Sequence, residues 1–212
     1  QLNAAEYNKK MARKEKMRET LEKYRKAHAK FSGLSDTSDA LKVLCAVSAA
    51  DYFKDSAKKE KFLRENFLRS KIVEEITKLR KQLLYIVKVN TVEESIGVNI
   101  DYSKELKLRP PNKNQIFAIK QIITTGFIDH IAIRADVINP DVRITKKSTS
   151  GSIPYSTLFL AVDSFDNGQE DIDPHVYIHG KSVLNNIGSK PPQYLVYQSL
   201  DLNATRTKVR MH

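Results

Sequence analysis

The chain has a single cysteine, Cys45. That excludes an internal disulfide framework and any cysteine-based zinc site, and it suits a reducing compartment. Long apolar runs are also missing. Runs such as Ile131-Ala132-Ile133 last only a few residues, against the ~20 that a membrane helix needs. No membrane partner is expected. Glycine is scarce, seven in 212 residues, and scattered, so no Gly-rich loop is available to cradle a phosphate. Neither a signal peptide nor a transit signature is visible, and there are no internal repeats.

Positive charge, by contrast, is abundant. Lys and Arg number 36 against 25 Asp and Glu, a net charge of +11. A basic excess of this size favours an anionic partner, most often nucleic acid. Hydrophobic residues make up 41% of the chain, enough for one large domain or two small ones, each with a core. The sequence begins on Gln1 and stops at His212 straight after a strand-like stretch. It reads as a fragment, with the parent's chemistry expected outside it.

Residues 1 to 31 read as one basic helix, with Lys9, Lys10, Arg13, Lys14 and Lys16 among sparse apolar positions. So thin a stripe must dock on something, either as a solvated surface helix or as an arm on RNA or a partner. Phe31-Ser32-Gly33 breaks the helix, and a second is expected from Ser38 to Lys54. A third is expected from Lys58 to Val89. There Leu63, Phe67, Ile72, Ile76, Leu79, Leu83 and Ile86 form the stripe that predicts the buried face. Its other face carries Arg64, Arg69, Lys71, Lys78 and Arg80. After a loop over 90–111, helices are expected at Asn112–Gly126 and Phe127–Ala135. Residues 32–139 thus make a helical bundle.

The pattern changes after Asn139-Pro140. Val142–Thr145, Ser156–Val162, Val176–His179, Tyr194–Gln198 and Thr205–Met211 read as short strands. With a small helix at Ser182–Asn186, residues 140–212 fit a five-stranded barrel of the OB type, its C-terminal part expected to be truncated. The fold class is α+β.

Catalytic constellations are missing. His175 and His179 share a strand face but stand ~13 Å apart, too far for a joint metal ligand set. The acidic stretch Asp163–Asp173 lacks the EF-hand pattern and reads as a solvated loop. No catalytic residue, metal or cofactor is assigned to the chain itself.

Several words in order resemble the C-terminal region of the DEAH-box RNA helicases. Ser38-Asp39-Ala40-Leu41-Lys42-Val43-Leu44 is similar to that family's "SDxLxLL", Glu65–Lys71 to "xNFLxxR", and Leu79–Leu83 to "xRxQL". Val176–Leu184 is similar to "vxIHPSSvL", with Gly180-Lys181 in place of Pro-Ser, and Tyr194–Gln198 to "fvvYxe". The words run from about 38 to 198. Ala46–Tyr52 and Gly126–Ala132, behind a basic helix, look most like the nucleolar branch of small-ribosomal-subunit assembly.

The resemblance implies a ratchet-like bundle followed by an OB-fold, accessory to an ATP-dependent 3′-to-5′ RNA helicase. ATP and Mg²⁺ would belong to RecA-like motor domains of the parent. Implied partners are those motor domains, pre-ribosomal RNA with box C/D small nucleolar RNA, ribosome-assembly factors and a helicase-activating protein, in the nucleolus. RNA contacts are expected at Arg64, Arg69, Lys71, Lys78 and Arg80, and at Lys208 and Arg210 on the last strand. For Arg80 the competing reading is an ion pair with Glu74 or Glu75. Tyr155, Tyr177 and Tyr197 are either base-stacking platforms or packing residues. The alternatives are a protein-interaction module that recruits assembly factors, or the same region of a spliceosomal helicase.

Overall fold

The computed structural model describes residues 4–35, 37–90, 110–144, 150–157, 173–186, 191–202 and 208–212. The chain divides into two compact units, Gln1–Leu34 with Ala40–Pro110, and Ser35–Asp39 with Pro111–His212.

The first unit is helical. Helix α1, Ala4–Ala29, has neither Gly nor Pro, and its described side chains are exposed until Tyr24. Only its last turn is packed. Tyr24 stacks on His28 at 4.0 Å and meets Phe67 edge-on at 5.9 Å. A 3₁₀ turn, Lys30–Leu34, then buries Phe31. Helix α2, Asp39–Asp51, buries Leu41, Ala46, Val47 and Ala50. Cys45 lies half-buried on it, and burial pushes its thiol pKa up.

The expected helix over Lys58–Val89 is instead two helices, α3 at Ser56–Glu65 and α4 at Ser70–Asn90. Asp55 caps α3 by accepting from the Lys58 amide at 2.9 Å. The break after α3 is a Schellman turn. The Leu68 amide donates to the Leu63 carbonyl at 2.8 Å and the Phe67 amide to the Arg64 carbonyl at 3.2 Å. Phe67 takes the left-handed position with φ 56°, where glycine is the usual occupant. A phenylalanine there hides the break from sequence patterning.

Ala50, Leu63 and Val73 form the centre of this unit, with Phe62 and Leu68 packed against them. Helix α4 turns Val73, Ile76, Thr77, Arg80 and Leu84 inward, buried or half-buried. The expected buried stripe is corrected here. Phe67, Ile72, Leu79, Leu83 and Ile86 are all exposed, Leu79 by 54%. Leu63 and Ile76 of that stripe do face inward, but the buried face of α4 otherwise lies one residue, or about 100°, away from it.

The second unit opens with α5, Lys113–Gly126. A capping box fixes its start, the Asn112 side chain accepting from the Gln115 amide and the Gln115 side chain from the Asn112 amide, each at 2.9 Å. The expected helix at Phe127–Ala135 is corrected to strand β1, Ile131–Arg134, followed by the short helix α6, Ala135–Ile138. Alternation explains the strand, since Ala132 and Arg134 point inward and Ile131 and Ile133 are half-exposed. The strand expected at Val142 is not formed over 142–144, and Thr145 lies outside the described residues.

The other strands are β2 Pro154–Thr157, β3 Val176–Ile178, β4 Tyr194–Val196, β5 Leu200–Leu202 and β6 Val209–Met211. They form one sheet in the order β4-β1-β2-β3-β6-β5. All pairs are antiparallel except β3 with β6, which sets Val176 beside Val209 and Ile178 beside Met211. The boundary expected at 139/140 falls inside this unit, because β1 pairs with both β2 and β4. The α+β class holds, a helical bundle ahead of an OB-type sheet.

The sheet's core gathers Ala132, Ile153, Tyr155, Val176 and Val209. Arg134 is buried among them because its charge is answered. Nε meets Asp136 at 2.6 Å, and a second guanidinium nitrogen donates to the Pro191 carbonyl. A 3₁₀ helix at Val183–Asn186 is capped by Asp39, whose carboxylate accepts from the Val183 amide at 3.0 Å. His179 contributes its carbonyl, which takes the Ser182 amide at 3.0 Å.

Candidate nucleic-acid interface

The seven cations expected to contact RNA separate into three groups. Arg64, Arg69, Lys71 and Lys78 are exposed in the first unit. Arg64 and Arg69 flank the Schellman turn between α3 and α4. Lys71 and Lys78, seven residues apart, share one face of α4, and that face also carries Glu74 and Glu75. None of the four cations forms an ion pair among the described residues.

Arg80 faces elsewhere. Its Nη2 lies 3.1 Å from Asp51 Oδ2, and Lys59 Nζ lies 3.2 Å from Oδ1 of the same carboxylate. Arg80 is therefore half-buried and paired within the bundle, and the partner is Asp51 rather than Glu74 or Glu75.

Lys208 and Arg210 belong to the second unit, where both stand against Tyr177. Lys208 Nζ is 4.5 Å from the ring centre and the Arg210 guanidinium carbon 5.5 Å. Arg210 also donates to the carbonyls of Gly151 at 2.6 Å and Ile178 at 3.2 Å. Its guanidinium ties β6 to the segment before β2 and to the end of β3. A Cβ on Gly151 would sit 3.3 Å from Asn185 Oδ1, so the close approach at this staple favours glycine.

The three tyrosines are packing residues. Tyr155 is fully buried, and Tyr177 and Tyr197 nearly so. Tyr155 donates its hydroxyl to the Pro192 carbonyl at 2.7 Å, and burial pushes its pKa up to about 12. Tyr177 donates to Asp173 Oδ2 at 2.5 Å. Burial first, then that bond and the carboxylate charge, raise its pKa still further. Burial alone would raise the Asp173 pKa, but the bonds from Tyr177 and His175 outweigh it and lower it. Tyr197 stacks flat on His130 at 5.1 Å. The acidic stretch before Asp173 lies outside the described residues.

One feature of this unit had no signal in the sequence. His179 and His212 lie with ring centres 4.1 Å apart, and His212 Nε2 is 3.1 Å from Asp201 Oδ2. Together with Gly151, Asn185 and Arg210 they line an open cleft of about 660 Å³. Burial, then the charges of His212, Lys181 and Arg210, hold the His179 imidazole below its ordinary pKa. Residues 33 positions apart meet there because β3 and β6 run parallel, with the His179 amide donating to the Met211 carbonyl at 3.1 Å. The cleft offers hydrogen-bonding edges and a pair of close, mutually tilted imidazoles. Among the described residues, no three His, Cys, Asp or Glu side chains are grouped to hold a metal ion.

The profile of the oligonucleotide/oligosaccharide-binding (OB)-fold family matches residues 119–212, from within α5 to the last strand. Across 197 residues, 92% of the chain, the sequence is 43% identical to the probable ATP-dependent RNA helicase DHR1 of Saccharomyces cerevisiae. The chain belongs to the DEAH-box RNA helicases. It corresponds to their C-terminal region, and two further helicase relatives agree. Human DHX37 is 29% identical over 162 residues and the Drosophila melanogaster helicase kurz 27% over 160, each covering 76% of the chain. The chain spans only 15%, 11% and 12% of the yeast, human and fly helicases respectively. Within this helicase region, helices α1 to α4 precede the OB-fold match.

Proposed function

We propose that the chain is the RNA-binding accessory region of an ATP-dependent RNA helicase, and that the parent's RecA-like motor domains supply ATP hydrolysis with Mg²⁺. The carrying observation is the 43% identity, over 92% of the chain, to a protein named as an ATP-dependent RNA helicase. In this reading Arg64, Arg69, Lys71 and Lys78 track phosphates of a single strand while the motor pulls it. The basic surface of α1 adds to the attraction. Arg80 and Arg210 hold the scaffold, and Lys208 lies beside Tyr177 at the edge of that scaffold.

The finer reading is 3′-to-5′ remodelling of pre-ribosomal RNA and box C/D small nucleolar RNA duplexes during 18S maturation in the nucleolus. Ribosome-assembly factors and an activating protein would be its protein partners. The words Ala46–Tyr52 and Gly126–Ala132, behind the basic helix α1, support this branch. The test is the parent helicase with Arg64, Arg69, Lys71 and Lys78 all changed to alanine. RNA unwinding should fall several-fold, and crosslinking to pre-ribosomal RNA should weaken. Unwinding at the unaltered rate would contradict the assignment.

A further inference from the structure

The helical unit carries a groove of about 300 Å³ that shares one lining residue, Arg69, with the proposed RNA surface. Its floor is Ala46, Val47 and Val73, all buried. Val43, Phe67 and Ile72 form walls that remain 54%, 41% and 46% exposed. Lys42 and Arg69 stand at its rim, and neither has an acidic partner among the described residues. His28 also lines it. Burial, then the Lys42 charge, hold the His28 imidazole below its ordinary pKa, and its Nε2 lies 3.0 Å from the Asn66 carbonyl. The ring is thus neutral near pH 7 and donates from Nε2.

The backbone at this groove is costly. Phe67 sits at φ 56°, a left-handed conformation that disfavours a bulky residue. Glycine at that position would close the same Schellman turn without strain. The strained residue nonetheless keeps a large ring at the groove wall, only edge-on to Tyr24. Beyond Ile72, the exposed face of α4 continues through Leu79 and Leu83, 54% and 53% exposed. Exposed apolar surface of this extent, bordered by charge, marks a protein-binding face.

We infer that this groove is a docking site for a peptide segment of a protein partner, one carrying Leu or Phe anchors flanked by Asp or Glu. The floor selects apolar side chains, because it offers no polar group to a buried one. The unpaired Lys42 and Arg69 select acidic flanks. A nucleobase fits poorly, since its hydrogen-bonding edges would be buried against valine and alanine. The groove shares Arg69 with the RNA reading, while its apolar floor and Lys42 belong to the groove alone.

Random peptide display on the folded 212-residue chain tests it, with counter-selection on Phe67→Gly and Ile72→Glu chains. Clones that bind only the unaltered chain should be enriched in acidic residues around Leu or Phe. Synthetic copies should bind both variants at least tenfold more weakly. Phe67→Gly should keep or raise the melting temperature, so its loss of binding is not a loss of fold. The inference is overturned if no groove-dependent clones emerge, or if those that emerge are neutral or basic.

Discussion

Asp51, at the end of α2, holds Arg80 of α4 on one carboxylate oxygen at 3.1 Å and Lys59 of α3 on the other at 3.2 Å. One largely buried acid thus links three helices. Arg80→Ala should lower the melting temperature by a few degrees, about 1 kcal/mol for a half-exposed partner. The salt slope of RNA binding should stay unchanged. An unchanged melting temperature together with a smaller slope would return Arg80 to the RNA surface.

The two faces of the bundle differ in what truncation costs. Leu63 is 3% exposed and sits in the centre with Ala50 and Val73, so Leu63→Ala should cost about 2–5 kcal/mol. Leu79 is 54% exposed, and Leu79→Ala should cost less than about 1 kcal/mol. Urea denaturation of both variants reads the order directly. Equal losses would mean that the inward face of α4 is assigned wrongly.

Stability should fall on mild acidification. The folded pKa of His28 lies below its ordinary value near 6.5, with burial the leading cause. The unfolded chain therefore binds the proton first. The contribution is complete above about pH 6.5 and is lost as pH falls through the folded value. His179 shifts in the same direction. Melting temperatures at pH 7.5 and 5.5 should show the drop, and His28→Asn should lessen it. A melting temperature that rises on acidification would refute the linkage.

At the alkaline end the sign reverses. Tyr155 is held protonated, with its pKa at about 12. Its contribution is complete below the ordinary tyrosine value and declines as pH rises through the folded one. Tyr155→Phe should cost about 1–2 kcal/mol by stranding the Pro192 carbonyl, and it should remove one of the late-ionising components of the 295 nm absorbance titration, leaving that of Tyr177. An unaltered titration would mean that the hydroxyl is not buried.

The helical first half, the α+β class and four of the strand positions were legible in local patterning. What escaped depended on contacts distant in sequence or on broken local rules. Phe67 occupies a glycine position, so the α3–α4 break reads as continuous helix. Periodicity gave α4 an apolar stripe but not its direction, because Ile72 and Val73 are both apolar and only one is buried. Ile131–Arg134 is too short to reveal a strand whose partner, Tyr194–Val196, lies some sixty residues on. The basic residues were visible at the candidate site, but not which of them already had partners. Arg80 and Arg210 are committed by Asp51 and by two backbone carbonyls, none of them a neighbour in sequence.

The central claim is that exposed cations of the helical unit bind RNA phosphates. The most direct measurement is the salt dependence of single-stranded RNA binding by the chain, alone and with Arg64, Arg69, Lys71 and Lys78 changed to alanine. Log affinity should fall linearly with log salt, and the fourfold variant should lose about 0.7 of slope per phosphate released, up to ~3 in all. An unchanged slope and affinity in that variant, or no RNA binding by the unaltered chain at low salt, would contradict the account.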